Sequence, residues 1–165
     1  MSNEKISETA GKAERYLSFS LGEESFAIPL LDVREVIAIT ETTPIPFAPT
    51  HFLGIMNLRG QVISVIDLRK KLGIKPNQST ENAIIICNLQ AVTIGMVVDS
   101  VDNVLHVQSV DVSEKPEIDG SKKTEFITGV YRQEKRLVLF LDIAKALSLD
   151  DQKAIAKATV DKKTA

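Results

Sequence analysis

The fold is decided by residues 52–72, which read FLGIMNLRGQVISVIDLRKKL. Two apolar runs in this stretch, Phe52–Leu58 and Val62–Ile66, flank the polar pair Arg59-Gly60. Short runs rich in β-branched residues around a polar break that contains glycine are typical of a β-hairpin. The stretch therefore predicts two antiparallel strands with Arg59 and Gly60 in the turn between them.

The end of the same stretch predicts a short helix. Leu68 and Leu72 are four residues apart, which places them on one face of a helix. Asp67 precedes them in the position of an N-cap, where a carboxylate accepts hydrogen bonds from the first free N–H groups. Gly73 follows in the position of a C-terminal cap, which favours glycine.

The hairpin and its helix recur later in the chain, which indicates an internal duplication. Three pairs of segments share the same order of apolar and polar residues: 52–55 with 126–130, 64–72 with 139–147, and 32–37 with 100–105. The spacing of 13 residues from Gly54 to Asp67 returns between Gly129 and Asp142. The common order and spacing favour a duplication over chance likeness, and an internal repeat fixes the architecture.

Composition excludes several classes of protein. The 165 residues are 44% hydrophobic and 25% charged with a net charge of −2, so no basic field is present to hold nucleic acid or an anionic membrane. Apolar runs such as Ala83–Cys87 are far too short to span a bilayer, and Met1–Lys5 is too polar for a signal peptide. Cys87 is the single cysteine, which predicts a buried thiol, no internal disulfide and a cytoplasmic location.

The order of the elements predicts an all-β protein built from two small barrels. About ten short strands follow one another at roughly 8–12 residues with little helix, which is the pattern of barrels rather than of βαβ units. We expect a disordered tail over residues 1–14, a folded region over 15–149 and a second tail over 150–165. A first subdomain would cover about 30–80 and a second about 83–149, with an exchange of terminal strands left open.

No arrangement of residues predicts catalysis or a bound cofactor. His51 and His106 are the only histidines and have no ligand-like spacing, so a zinc site is not expected. The sequence has neither a phosphate-binding loop nor a nucleophile elbow. Asp67 and Asp142 resemble a carboxylate pair, but helix capping explains their repeated position better. We therefore expect neither an enzyme nor a metal-binding or cofactor-binding protein.

Two charged residues in apolar surroundings, Glu35 and Arg59, are candidates for a binding role. Glu35 lies in the segment 31–39, which fits either a helical turn or a strand. The simplest interpretation of each residue is a solvated surface charge. Asn103 replaces Glu35 in the second copy, however, and the turn of the second hairpin, 133–135, has no arginine. A charge kept in one copy only is better explained by a partner than by the fold.

Six motifs follow one another along the chain: GEESFAI at 22–28, VREV at 33–36, NLRG at 57–60, IDLR at 66–69, GMVVDSV at 95–101 and FITG at 126–129. In this order they resemble the CheW family of bacterial chemotaxis coupling proteins, over about residues 15–149. The resemblance implies two intertwined five-stranded SH3-like barrels without catalytic activity. It also implies an adaptor between the cytoplasmic tip of chemoreceptors and the regulatory domain of the histidine kinase CheA, a domain of the same fold. Such an adaptor would be cytoplasmic, recruited to receptor arrays, and able to form rings with further copies.

The resemblance also carries over positions at which the family binds its partners. The matching residues of this chain are Val33, Glu35, Val36, Gly54, Arg59, Val98 and Val101. The charged pair is implied in coupling, and the valines at 33 and 36 are implied to flank a receptor groove with Gly54 near it. The valines at 98 and 101 are expected to face that groove from the second barrel.

Three alternatives compete with this hypothesis. One is the CheW-like half of a CheV-type protein or a separated kinase domain, which a receiver or kinase region would accompany. Another is an enzyme that uses a barrel cleft, which needs a base or a metal cluster. The last is a nucleic-acid-binding barrel, which salt-dependent binding to DNA or RNA would reveal.

Overall fold

The computed structural model describes residues 13–77, 81–89, 92–113 and 126–147, together with Asp151 and Ile155. The expected N-terminal tail lies outside these ranges except for its last two residues, which already belong to the first strand. Asp151 and Ile155 are buried, and Ile155 packs in the main core. These two residues of the expected C-terminal tail therefore contribute buried side chains to the folded body.

The first sheet has six strands in the order β8-β1-β2-β11-β10-β9. Its strands are β1 Ala13–Leu21, β2 Glu24–Pro29, β8 Ser100–Gln108, β9 Val112–Ser113, β10 Ile127–Gln133 and β11 Arg136–Leu141. The two ends of the described chain meet in this sheet, because β2 pairs with β11 in parallel. The remaining neighbours are antiparallel.

The second sheet has five strands in the order β3-β6-β7-β5-β4. Its strands are β3 Val33–Ala38, β4 Phe52–Leu58, β5 Gln61–Asp67, β6 Ala83–Leu89 and β7 Val92–Val98. Here β5 and β7 are the parallel pair, and the other contacts are antiparallel. The ambiguous segment 31–39 consists of the end of a 3-10 turn, Leu30–Asp32, followed by strand β3.

The two sheets repeat one plan, as the duplicated sequence predicts. In each sheet an outer strand lies beside a first antiparallel hairpin. The inner strand of this hairpin pairs in parallel with a strand of a second antiparallel hairpin. The second hairpins share a bulge before the glycine, at Phe52/Gly54 and at Ile127/Gly129. Even the short β9 has a counterpart, because Thr43 pairs with Ile55 on the same side of β4. The fold is therefore all-β, with two SH3-like barrels and few short helices.

The predicted division of the chain near residue 83 is wrong. The hairpin of β6 and β7 pairs with β3 and β5, so it completes the sheet of residues 33–98 rather than the sheet of the C-terminal half. The hairpin of β1 and β2 takes the equivalent place beside β8 and β11. The N-terminal hairpin thus completes the sheet of the C-terminal half, which is the exchange that the sequence left open.

The predicted hairpin turn and helix caps are confirmed. Arg59 and Gly60 form the two-residue turn, both with positive φ, and the Gly60 N–H donates to Asn57 Oδ1 at 2.8 Å. Helix α1, Leu68–Leu72, starts at Asp67, whose carboxylate accepts from two backbone N–H groups, and ends at Gly73 in the left-handed conformation. The second short helix, α2, covers Ile143–Ala146 and is capped by Asp142, whose carboxylate accepts from the backbone N–H of Lys145 at 3.2 Å.

A buried ion cluster joins the two sheets. Arg69 donates to Asp67 Oδ1 at 2.9 Å and to Asp99 Oδ1 at 2.6 Å, and its side chain is 11% exposed. The other oxygen of Asp99 accepts from the backbone N–H of Gly22 in the β1–β2 turn at 2.5 Å. Burial raises the pKa of Asp67, but the hydrogen bonds and charge of Arg69 outweigh it and lower the pKa overall. The cluster therefore ties α1 to the strand junction at Asp99 and to the first sheet.

Candidate interaction surface

The two charged residues predicted to act together are in direct contact. Arg59 Nη1 donates to Glu35 Oε2 at 2.7 Å, with the arginine side chain 67% exposed and the glutamate 23% exposed. The contact arises because the two-residue turn places Arg59 at the tip of the β4–β5 hairpin, while Glu35 extends from the outer strand β3. The hydrogen bond and charge of Glu35 raise the pKa of Arg59, so the guanidinium stays charged.

A second hydrogen bond joins the same two elements. Arg34 Nη1 donates to Gln61 Oε1 at 2.7 Å. Arg34 directly precedes Glu35, and Gln61 directly follows the Arg59-Gly60 turn. Both bonds therefore connect the outer strand β3 to the β4–β5 hairpin. The other carboxylate oxygen of Glu35, Oε1, is buried and has no hydrogen-bond partner among the described residues. The exposed guanidinium of Arg59 is therefore the part of this charged pair that a partner can reach.

The apolar side of this site is the outer strand β3. Val33 packs in part against the main core, whereas Val36 is 41% exposed. Leu31 before β3 and Ile39 after it are also exposed, and sequence reasoning did not single them out. We call Leu31, Val36, Ile39, Glu35 and Arg59 the β3 surface. Successive strand residues point to opposite faces, so Val36 and Glu35 lie on opposite faces of β3, and the β3 surface comprises both faces of this outer strand.

Neither Val98, at the end of β7, nor Val101, on β8, is part of the β3 surface. Val98 has no exposed area and packs in the main core, so it offers no atoms to a partner. Val101 is partly buried on β8, the outer strand of the first sheet. Val33 and Val101 hold equivalent places in the two sheets, as the offset of 68 residues between the copies predicts. The binding role of Val101 stays a prediction.

Gly54 supports the site from behind. It is buried at φ +140°, and a Cβ at this position would lie 2.2 Å from the carbonyl oxygen of Thr43. The segment between β3 and β4, residues 39–51, is called the connector. It approaches Gly54 this closely because Thr43 and Ile55 exchange two backbone hydrogen bonds of 2.8 and 2.9 Å. Gly54 is therefore needed for the packing of the connector, and it does not face a partner. The sequence contains no local signal for this pairing.

The described residues contain no group of histidine, cysteine and acidic side chains that could hold a metal ion. His51 instead contacts Asp151, with Nε2 and Oδ1 2.6 Å apart. Burial, and to a lesser degree the charge of Asp32, raises the pKa of the Cys87 thiol to about 12, which leaves it inert at neutral pH. Within the described ranges, no helix is both long and apolar enough to cross a membrane.

Comparison with known proteins places this architecture in a family. The model of the CheW-like domain matches residues 15–151. The chemotaxis protein CheW of Klebsiella aerogenes is 32% identical over 149 residues, which covers 88% of this chain and 90% of that protein. The probable chemotaxis protein CheW of Rhizobium etli is 30% identical over 139 residues, covering 84% and 90%. The crystal structure of the scaffolding protein TtCheW from Thermoanaerobacter tengcongensis has a TM-score of 0.77 at 29% identity, covering 85% of this chain and 96% of that one.

Two SH3-like barrels and these relatives define a chemotaxis scaffold or adaptor. The chain belongs to the CheW family.

Proposed function

We propose that this chain is a non-catalytic adaptor that couples chemoreceptors to the histidine kinase CheA. The receptor tip binds at the β3 surface, and the regulatory domain of the kinase binds elsewhere on the barrels. The chain works in the cytoplasm and is recruited to membrane-associated receptor arrays, where further copies can join it in rings. The family supports this role, and the Glu35–Arg59 contact beside exposed apolar side chains is the observation that carries it.

The chemistry of the β3 surface fits a helical partner. An amphipathic helix binds by laying its apolar face against exposed apolar side chains, and Leu31, Val36 and Ile39 are such side chains along β3 and beside its ends. Arg59 presents a planar fork that suits a carboxylate on the partner, and Glu35 holds it in position. The charged pair then sets the register and choice of partner more than the raw affinity.

The test compares two valines that differ in their sheet but little in exposure. Val36 is 41% exposed on β3, and its equivalent Val104 is 44% exposed on β8. We expect Val36→Asp to weaken binding of a receptor cytoplasmic fragment by at least about tenfold, because a carboxylate replaces an apolar contact at the centre of the surface. Val104→Asp should leave receptor affinity within about twofold. Equal losses in both variants, or no loss in Val36→Asp, would refute the assignment of the receptor to β3.

A further inference from the structure

Phe47 has an unusual combination of conformation and exposure. Its side chain is fully exposed, and its φ is +64°. The N–H of Ala48 donates to the carbonyl of Ile45 at 3.4 Å, which makes Pro46 and Phe47 the central residues of a β-turn. Proline followed by a residue with positive φ is the pattern of a type II turn, whose third position favours glycine or asparagine. A phenylalanine here carries a backbone penalty and gains no burial in return, so the fold does not explain it.

The backbone around this turn is held on both sides. On one side, Thr43 is bonded to Ile55 through two backbone hydrogen bonds. On the other, the N–H of Phe52 donates to the carbonyl of Pro49 at 2.9 Å. Ile45, within the turn, packs against the main core. Proline on both sides of Phe47 further restricts the backbone. A rigid aromatic side chain loses little conformational entropy on binding, which makes it an effective anchor.

Phe47 lies at the opposite end of β4 from the charged pair. The connector runs antiparallel to β4 from the Thr43–Ile55 bridge, so Phe47 lies beyond the first residue of the strand. Arg59 follows the last residue, and the seven residues of β4 between them correspond to roughly 20 Å. A partner can therefore bind at Phe47 while another occupies the β3 surface.

We propose that Phe47 anchors a second interaction surface and inserts into an apolar pocket on the regulatory domain of the kinase. This inference rests on the proposed function, which requires two partners to be held at once. A protruding aromatic ring needs a pocket, and a folded domain provides one. In the proposed function the receptor occupies the β3 surface, and Phe47 lies at the other end of β4, so the ring is placed for the second partner, the kinase.

Three substitutions at one position test this. Full-length CheA from the same organism and a receptor cytoplasmic fragment are titrated separately by calorimetry against the wild-type chain, Phe47→Ala, Phe47→Tyr and Phe47→Asn. We expect Phe47→Ala and Phe47→Asn to weaken kinase binding by at least about tenfold, and Phe47→Tyr to stay within about threefold because it keeps the ring. Receptor affinity should be unchanged in all three. Phe47→Asn should also raise the melting temperature, because asparagine tolerates positive φ.

Unchanged kinase affinity in a folded Phe47→Ala variant would overturn the inference. A loss of receptor affinity in place of kinase affinity would overturn the assignment to the kinase. If the folded wild-type chain binds neither protein, the proposed function fails, and this inference fails with it. If the wild-type chain binds both and the Phe47 variants behave like it, only the inference fails.

Discussion

Replacing Gly54 by alanine tests how the connector packs against the β4–β5 hairpin. The added Cβ would lie 2.2 Å from the Thr43 carbonyl oxygen and 3.0 Å from the Pro44 Cα, both of them backbone atoms. The connector must therefore lift from β4, which breaks the two hydrogen bonds between Thr43 and Ile55. Each bond contributes about 0.5–1.5 kcal/mol, and the positive φ adds about 1–3 kcal/mol of backbone strain. We expect Gly54→Ala to lower the free energy of unfolding by about 2–6 kcal/mol.

Gly60→Ala is the matched control in the same hairpin. Gly60 also has positive φ, at +86°, but a Cβ there meets no described atom within 4 Å. Its cost is backbone strain alone, about 1–2 kcal/mol. Urea unfolding followed by circular dichroism gives both values from the midpoint and slope. Equal costs in the two variants, within about 0.5 kcal/mol, would refute the argument that contact with the connector makes Gly54 necessary.

Three further predictions concern the core. Arg69→Met leaves the Asp67 and Asp99 carboxylates buried without their cation, so it should cost about 3–5 kcal/mol in chemical denaturation. In the wild type, the lowered pKa of Asp67 adds stability that is present above the unfolded pKa near 3.9 and is lost as the pH falls below it. This loss should be absent in the variant, and a variant as stable and as acid-sensitive as the wild type would contradict the role of the cluster. Cys87 should react with a thiol reagent at pH 8 on the order of a thousandfold more slowly in the native chain than in the urea-unfolded chain, and rapid native reaction would show that it is accessible. Ile155→Ala should cost about 2–5 kcal/mol in urea unfolding, whereas a cost near zero would place residue 155 outside the core.

Local features of the sequence predicted local structure well. The hairpin turn at Arg59-Gly60 and the caps at Asp67 and Gly73 depend on neighbouring residues, and the structure has them where the sequence placed them. The duplication was also visible, because both hairpins keep the same spacing from glycine to aspartate.

Features that depend on distant pairing were not predictable in the same way. The hairpin 83–98 joins the first-half strands because β7 pairs with β5 in parallel, and parallel partners need no short connection to reveal them. Val98 was assigned to a groove, yet its side chain points to the core shared by both sheets. The proximity of Gly54 to Thr43 likewise depends on a contact between a connector and a strand. The pattern of apolar and polar residues shows which side chains share a face of a strand. It does not show which other element covers that face.

The two copies of the repeat have diverged at the candidate site. In the copy formed by the five-stranded sheet, Glu35 on β3 contacts Arg59 in the β4–β5 turn. In the second copy, Asn103 uses its backbone N–H to donate to Ser18 Oγ at 3.2 Å, and Glu134 takes the turn position of Arg59. The same strand and hairpin therefore fold without a charged pair, which supports a binding role for the pair.

The most direct test of the proposed coupling is a calorimetric titration of the purified chain with the regulatory domain of its cognate CheA, repeated with a receptor tip fragment present. We predict saturable binding to both partners in the same solution. Arg59→Glu should keep cooperative unfolding, because the Arg59 side chain is largely exposed, but should weaken assembly by reversing the charge opposite Glu35. A well-folded chain that binds neither partner, or an Arg59→Glu variant that assembles as the wild type does, would contradict the claim that this surface couples receptor to kinase.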